Sequence, residues 1–322
     1  MTGPDRPERS TFSIEGRTAP GLFVVGWLAA LLGLGAVVVG LLSSGGPAGS
    51  IVFVVGMVLL DVGLIAGAGS QAIERRARGS EVYQGPSPLL VLLASIVTVY
   101  LLAVLIGTPL AAAGVNLPRP AAELLLVTIH AATYVAIARL LVIGTGALSW
   151  QEIGFRGPGR WALTELVWGA VLAGPVILVT ALLSIGLVSV FGAVPTSPLP
   201  PAGTLAGFLL NLVAGAIVAP IGEEILFRGV ATTAWVRSLG PRAGILRGAL
   251  LFAAVHILLT SAAGFDEGVR MAAVGFIGRL PVALVLGWLF VRRGSIWAPI
   301  GLHAAFNGIL LIAAENAARL PG

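Results

Sequence analysis

The sequence predicts an all-α, polytopic integral membrane protein with about eight to nine transmembrane helices, and three observations carry that prediction. Only 10% of the 322 residues are charged and 57% are hydrophobic, whereas a soluble domain carries about 25% charge. Apolar runs near the roughly 20 residues needed to span a bilayer recur along the whole chain. The arginines gather in alternate polar breaks between those runs, which puts them on one side. The mean hydropathy of +1.00 leaves little room for a soluble domain.

The runs fall at about 20–43, 50–73, 88–113, 121–145, 162–191, 203–222, 244–262, 271–291 and 296–315. A polar tail, residues 1–19, precedes the first run and is expected on the cytoplasmic side. It is too long and charged for a signal n-region, so the first run is read as a retained helix. Gly, Pro and Arg mark the breaks as turns: Ser43 to Pro47, Glu74 to Arg78, Leu117 to Pro120, Arg156 to Arg160, and Pro195 to Pro201. The 203–222 run is expected to continue as a helix to about Arg237. Helices in 20–150 form a segment of unassigned role, and 161–316 forms a second segment. Trp150, Trp161, Trp288 and Trp297 near run ends fit an interfacial aromatic belt. Gly63, Gly67 and Gly69 read as close helix packing.

Composition excludes several classes. There is no Cys, so disulfides, thiol nucleophiles and Cys-ligated metals are absent. The net charge of +5 is not a nucleic-acid signal, because the arginines lie in loops. All 19 basic residues are Arg, a bias that suggests a GC-rich bacterial coding sequence.

Arginine counts set an expected orientation. Arg6, Arg9 and Arg17 precede the first run; Arg75, Arg76 and Arg78 follow the second; Arg156 and Arg160 follow the fourth. Arg228, Arg237, Arg242 and Arg247 follow the sixth, and Arg292 and Arg293 the eighth. With nine crossings all these breaks share one side, which the positive-inside rule makes cytoplasmic. The N-terminus is then inside, the C-terminus outside, and the protein sits as a multi-pass protein in the plasma membrane. Arg139 and Arg279 fall within apolar runs and do not enter the count.

Three polar motifs interrupt the late runs: Glu223-Glu224 with Arg228, Phe252 with His256, and His303 with Asn307. Ionisable groups in hydrocarbon cost roughly 2.5–3.5 kcal/mol each on insertion scales, so their presence calls for a function. Glu223 is placed at the inner end of its helix, and His256, nine residues past Arg247, about 13 Å inward. His303 falls at a similar or slightly shallower depth. Glu224 and Arg228, four apart, are expected to form an ion pair with a structural role. Glu223 points about 100° away from Glu224 and is free to face His256. A desolvated carboxylate and an imidazole can share a proton and activate a water. His303 and Asn307, on one helix face, can donate hydrogen bonds to an oxyanion. Together these groups make a hydrolytic site for an acyl bond, with a peptide bond the leading case. Taken singly, each motif also has a packing reading, the His/Asn pair as interhelical glue among them. Asp61, His130 and Glu165 are weaker candidates for the cavity wall.

The motifs, standing here as Glu223-Glu224-Ile225-Leu226-Phe227-Arg228-Gly229, Phe252-Ala253-Ala254-Val255-His256 and His303-Ala304-Ala305-Phe306-Asn307, resemble those of the CPBP family of intramembrane proteases. That family includes the CAAX prenyl endopeptidases and the Abi, or bacteriocin-processing, proteins. The stretch Gly287 to Leu302 also resembles it, and the resemblance implies that 161–316 is a CPBP-like intramembrane protease core. The resemblance implies that Glu223 and His256 activate the water and that His303 and Asn307 form the oxyanion hole. Glu224, Arg228 and Phe252 are then supporting residues. It implies a bilayer environment and a peptide or membrane-protein substrate, with no nucleic-acid partner. No cofactor is expected; one zinc ion on Glu223, His256 and His303, with a fourth position open for water, is the alternative. A non-catalytic membrane scaffold or bacteriocin immunity protein is the alternative function. A proton-relaying transporter is a third, but neither paired repeats nor broken helices point to it.

Overall fold

The computed structural model describes residues 14–43, 46–79, 82–195, 197, 199–258 and 262–319. Most of the polar tail, with Arg6 and Arg9, lies outside the described residues, as do parts of the 43–47 and 195–201 breaks and the 259–261 end of the seventh run. The described residues form helices and connecting loops, with no strand among them. Among the described residues we number nine long helices: α1 Pro20–Leu42, α2 Pro47–Ala77, α3 Pro88–Ala112, α4 Arg119–Ile143, α5 Arg160–Phe191, α6 Leu205–Leu239, α7 Pro241–Ile257, α8 Phe265–Arg293 and α9 Trp297–Arg319. Proline opens α1, α2, α3 and α7, where its missing N–H costs nothing and its fixed φ suits the first turn.

Eight of the nine are long and apolar enough to cross a membrane. The exception is α7, whose 17 residues extend about 26 Å at 1.5 Å per residue, short of a hydrocarbon core of about 30 Å. At the other extreme, the 35 residues of α6 extend about 52 Å. Glu223 therefore lies near the middle of α6, not at its inner end as the run length had suggested. The reason is burial: Ile225 to Ala234 are enclosed by protein, so the helix keeps going after its lipid-facing stretch stops.

Polar contacts show that the helices alternate in direction. At one end of the bundle Arg17 meets Glu74 at 2.8 Å, Arg75 donates to the Gly85 carbonyl at 2.6 Å and Arg76 donates to the Thr145 carbonyl. There also Arg237 pairs with Glu152 at 2.6 Å, Arg293 pairs with Glu165 at 2.5 Å, and the Ile296 N–H donates to the Gly154 carbonyl at 3.1 Å. The Arg237 guanidinium holds the Glu152 carboxyl below the usual carboxylate range. At the opposite end Glu315 of α9 accepts from the Ala202 and Gly203 N–H groups ahead of α6, at 2.8 and 3.2 Å. These contacts put the starts of α1, α3, α5 and α9 with the ends of α2, α4, α6 and α8. The described Arg-rich breaks thus share one face of the bundle. Trp150, Phe155 and Trp297 stack there, with ring centroids 5.7 and 5.2 Å apart, where an interfacial belt belongs.

α1 and α2 pack backbone to backbone. A Cβ on Gly33 would stand 2.3 Å from the Leu60 nitrogen, and one on Gly63 2.3 Å from the Ala30 nitrogen, so only glycine allows this approach. One buried core joins residues of α2, α3, α4, α6, α7, α8 and α9, crossing the 150–161 boundary between the two segments.

Candidate active site

α6 carries two stretches of wider i→i+5 helix, Ala214–Val218 and Ile225–Thr232, on either side of Glu223 and Glu224. Such stretches are rare and concentrate at functional sites. Side chains stitch them: the Thr232 hydroxyl donates to the Phe227 carbonyl at 2.9 Å and the Thr233 hydroxyl to the Arg228 carbonyl at 3.3 Å. In the first stretch the Gly215 carbonyl accepts from the Asn307 side-chain amide at 2.9 Å.

The three motifs meet. Glu223 Oε2 stands 3.8 Å from His256 Nε2 and 3.8 Å from His303 Nε2. Those gaps exceed a direct hydrogen bond. Glu223 Oε2 is buried and has no hydrogen-bond partner. His256 Nδ1 lies 2.7 Å from the Phe252 carbonyl, an acceptor only, so Nδ1 carries the proton and donates. His303 Nδ1 lies 2.7 Å from Glu224 Oε1, and a carboxylate likewise accepts. Both imidazoles are thus oriented through Nδ1 and present Nε2 to Glu223.

Glu224 pairs with Arg228 as the spacing predicted, at 2.9 Å, with both side chains buried. It does more than that, because the same oxygen receives His303 Nδ1. Glu224 therefore joins the ion pair to the site and fixes which nitrogen of His303 faces Glu223, a role its spacing alone did not reveal. Phe252 is equally central. Its ring lies 4.4 Å from that of His256 and 5.7 Å from that of His303. The Arg228 guanidinium covers it at 4.3 Å. Asn307 is on the α9 face that bears His303, with one amide N–H committed to Gly215.

The weaker candidates lie elsewhere. Asp61 accepts from Thr98 at 2.7 Å between α2 and α3. Glu165 is tied to Arg293 at the Arg-rich end. His130 packs edge-on against Tyr134 at 6.1 Å, and Tyr134 against Phe227 at 6.4 Å, which puts this pair behind the site rather than in it. Sequence reasoning passed over Tyr134, which packs against Phe227, and Arg279, which bonds to the Gly275 carbonyl of its own helix. For Arg279 a signal existed: a guanidinium inside an apolar run. Among the described residues no group of three or more His, Asp or Glu side chains is arranged to hold a metal ion.

Comparison with known families finds a match over part of the chain. The match is to the family of type II CAAX prenyl endopeptidase Rce1-like proteins. It spans residues 205–309, from the start of α6 to the middle of α9, and takes in all three motifs. Helices α1 to α5 lie outside it. No curated protein and no solved structure matches the chain.

Proposed function

We propose that this chain is an intramembrane endopeptidase that hydrolyses peptide bonds of membrane-associated proteins or peptides with a water activated by Glu223. The observation that carries the reading is the buried, unpartnered Glu223 oxygen set 3.8 Å from each of two imidazole nitrogens. Glu223 takes a proton from a water held between it and His256, and the water oxygen bonds to the peptide carbonyl carbon. Charge develops on the carbonyl oxygen, where His303 Nε2 and the free Asn307 N–H are the donors at hand. Glu224, on His303 Nδ1, stabilises a charged imidazole there. When the intermediate collapses the C–N bond breaks, and the proton held by Glu223 passes to the leaving amine. The chemistry needs no metal; if zinc held the water instead, Glu223, His256 and His303 would be its ligands, and activity would disappear with a chelator and return with added zinc. The test is cleavage of a membrane-tethered peptide library by purified protein. Wild type is expected to cut and Glu223→Ala not. A Glu223→Ala protein that kept its full cellular activity would favour a scaffold or immunity role.

The same reading places the Arg-rich face in the cytoplasm and brings substrates from that side. The cysteine-free chain allows a direct check. A cysteine at Ser238, after Arg237, should react with a membrane-impermeant thiol reagent only in inverted vesicles. One at Val194, beyond the end of α5, should react only in intact cells. The opposite labelling pattern would invert the orientation.

A further inference from the structure

Arg279 is a charge that the hydrolytic scheme leaves unused. It sits in the middle of α8, half-buried, where a guanidinium costs several kcal/mol unless something compensates it. Among the described residues no carboxylate lies within ion-pair distance, and its hydrogen bond is to its own helix, from Nη1 to the Gly275 carbonyl at 3.0 Å. Four of the five N–H donors of a guanidinium remain for another partner.

Its level in the bundle is fixed by a neighbour. Arg228 Nη2 reaches the Ala283 carbonyl at 3.4 Å, and α6 and α8 run in the same direction. Glu223 precedes Arg228 by five residues, about 7.5 Å of helix, and Arg279 precedes Ala283 by four, about 6 Å. Arg279 therefore stands level with Glu223. A Cβ on Gly275, beneath the guanidinium, would come 3.2 Å from Arg279 Nη1 and 3.6 Å from Ile257, the residue after His256. The charge interacts with both Glu223 and His256.

Resting on the endopeptidase reading, we infer that Arg279 is a specificity residue that binds a substrate carboxylate close to the scissile bond. A planar guanidinium takes a carboxylate through two parallel hydrogen bonds. Such a substrate supplies a carboxylate at ion-pair distance, which Arg279 lacks among the described residues, and it seats the peptide beside Glu223. The carboxylate is either a peptide C-terminus or an Asp or Glu side chain, which present the same group to the guanidinium.

The experiment uses N-palmitoylated peptides in phosphatidylcholine vesicles with the full-length protein. Each peptide is made as the free acid and as the C-terminal amide, and with Glu or Gln at each position after the cleavage site. Wild type is expected to prefer one carboxylate form over its neutral partner by about tenfold or more in kcat/KM. Which pair shows the preference identifies the source. In Arg279→Gln that ratio falls to near one, and Arg279→Lys restores part of it. Because the readout is a ratio, it does not depend on how much variant folds. Equal cleavage of acid and neutral peptides by wild type overturns the inference while the endopeptidase reading stands. So does a preference that survives in Arg279→Gln, or an Arg279→Gln protein that only shifts the pH profile. No cleavage of any peptide by wild type removes both.

Discussion

Glu223→Gln is expected to lower peptide hydrolysis by at least about a hundredfold, the usual lower bound for a positioned general base, while leaving the folded protein intact. The amide keeps the volume and cannot take the water's proton. Glu223 holds no ion pair within 3.5 Å, so its loss breaks no contact that supports the fold. His256→Ala and His303→Ala are expected to be similarly inactive, since each supplies one of the two Nε2 atoms facing Glu223. The second is expected to cost more stability, because it empties a buried site against Phe252 and Glu224. The measurement is single-turnover cleavage at matched amounts of folded, detergent-extracted protein. Wild-type rates in any one of the three would remove that residue from the chemistry.

Much of this was legible in the chain. Membrane helices declare themselves by length and apolarity: each of the nine runs falls on a helix, and eight of those helices are long and apolar enough to cross a membrane. The alternation of arginine between breaks likewise reappears as one arginine-rich face. The continuation of the 203–222 run to about Arg237 was legible, since α6 ends at Leu239, but the place of Glu223 near its middle was not. That depends on enclosure by other helices, not on its own composition. The motif spacing announced the Glu224–Arg228 pair because four residues bring two side chains together on one helix. Contacts between helices have no such local signature. The bond from His303 to Glu224 spans 79 positions and that from Asn307 to Gly215 spans 92. The carbonyl that receives Asn307 belongs to a widened turn with no Pro, Ser or charged residue to mark it. Arg279 was visible as an intramembrane charge, but its level beside Glu223 emerged only from Arg228 reaching Ala283.

Arg228→Ala is expected to reduce the yield of folded protein more sharply than any other single change at this site. Arg228 is enclosed, and it binds Glu224 at 2.9 Å, reaches the Ala283 carbonyl and covers the Phe252 ring. Its removal strands a carboxylate that is wholly buried and whose second oxygen already has no partner. Breaking a buried pair from one side costs about 3–5 kcal/mol, a large share of the roughly 5–15 kcal/mol by which a typical domain is stable. The physical cause is the orphaned charge, so the effect should be non-additive. Glu224→Gln combined with Arg228→Ala is expected to be less destabilised than Arg228→Ala alone, since the double variant buries no unpaired charge. Thermal unfolding in detergent, followed by intrinsic tryptophan fluorescence, reads both. The folded fraction of Arg228→Ala is expected to keep some turnover, because Glu223 and both imidazoles are still present. The double variant is expected to be slow, because glutamine no longer holds His303 with a charge. A normally stable Arg228→Ala protein without activity would instead move Arg228 from support of Glu224 into the catalytic set.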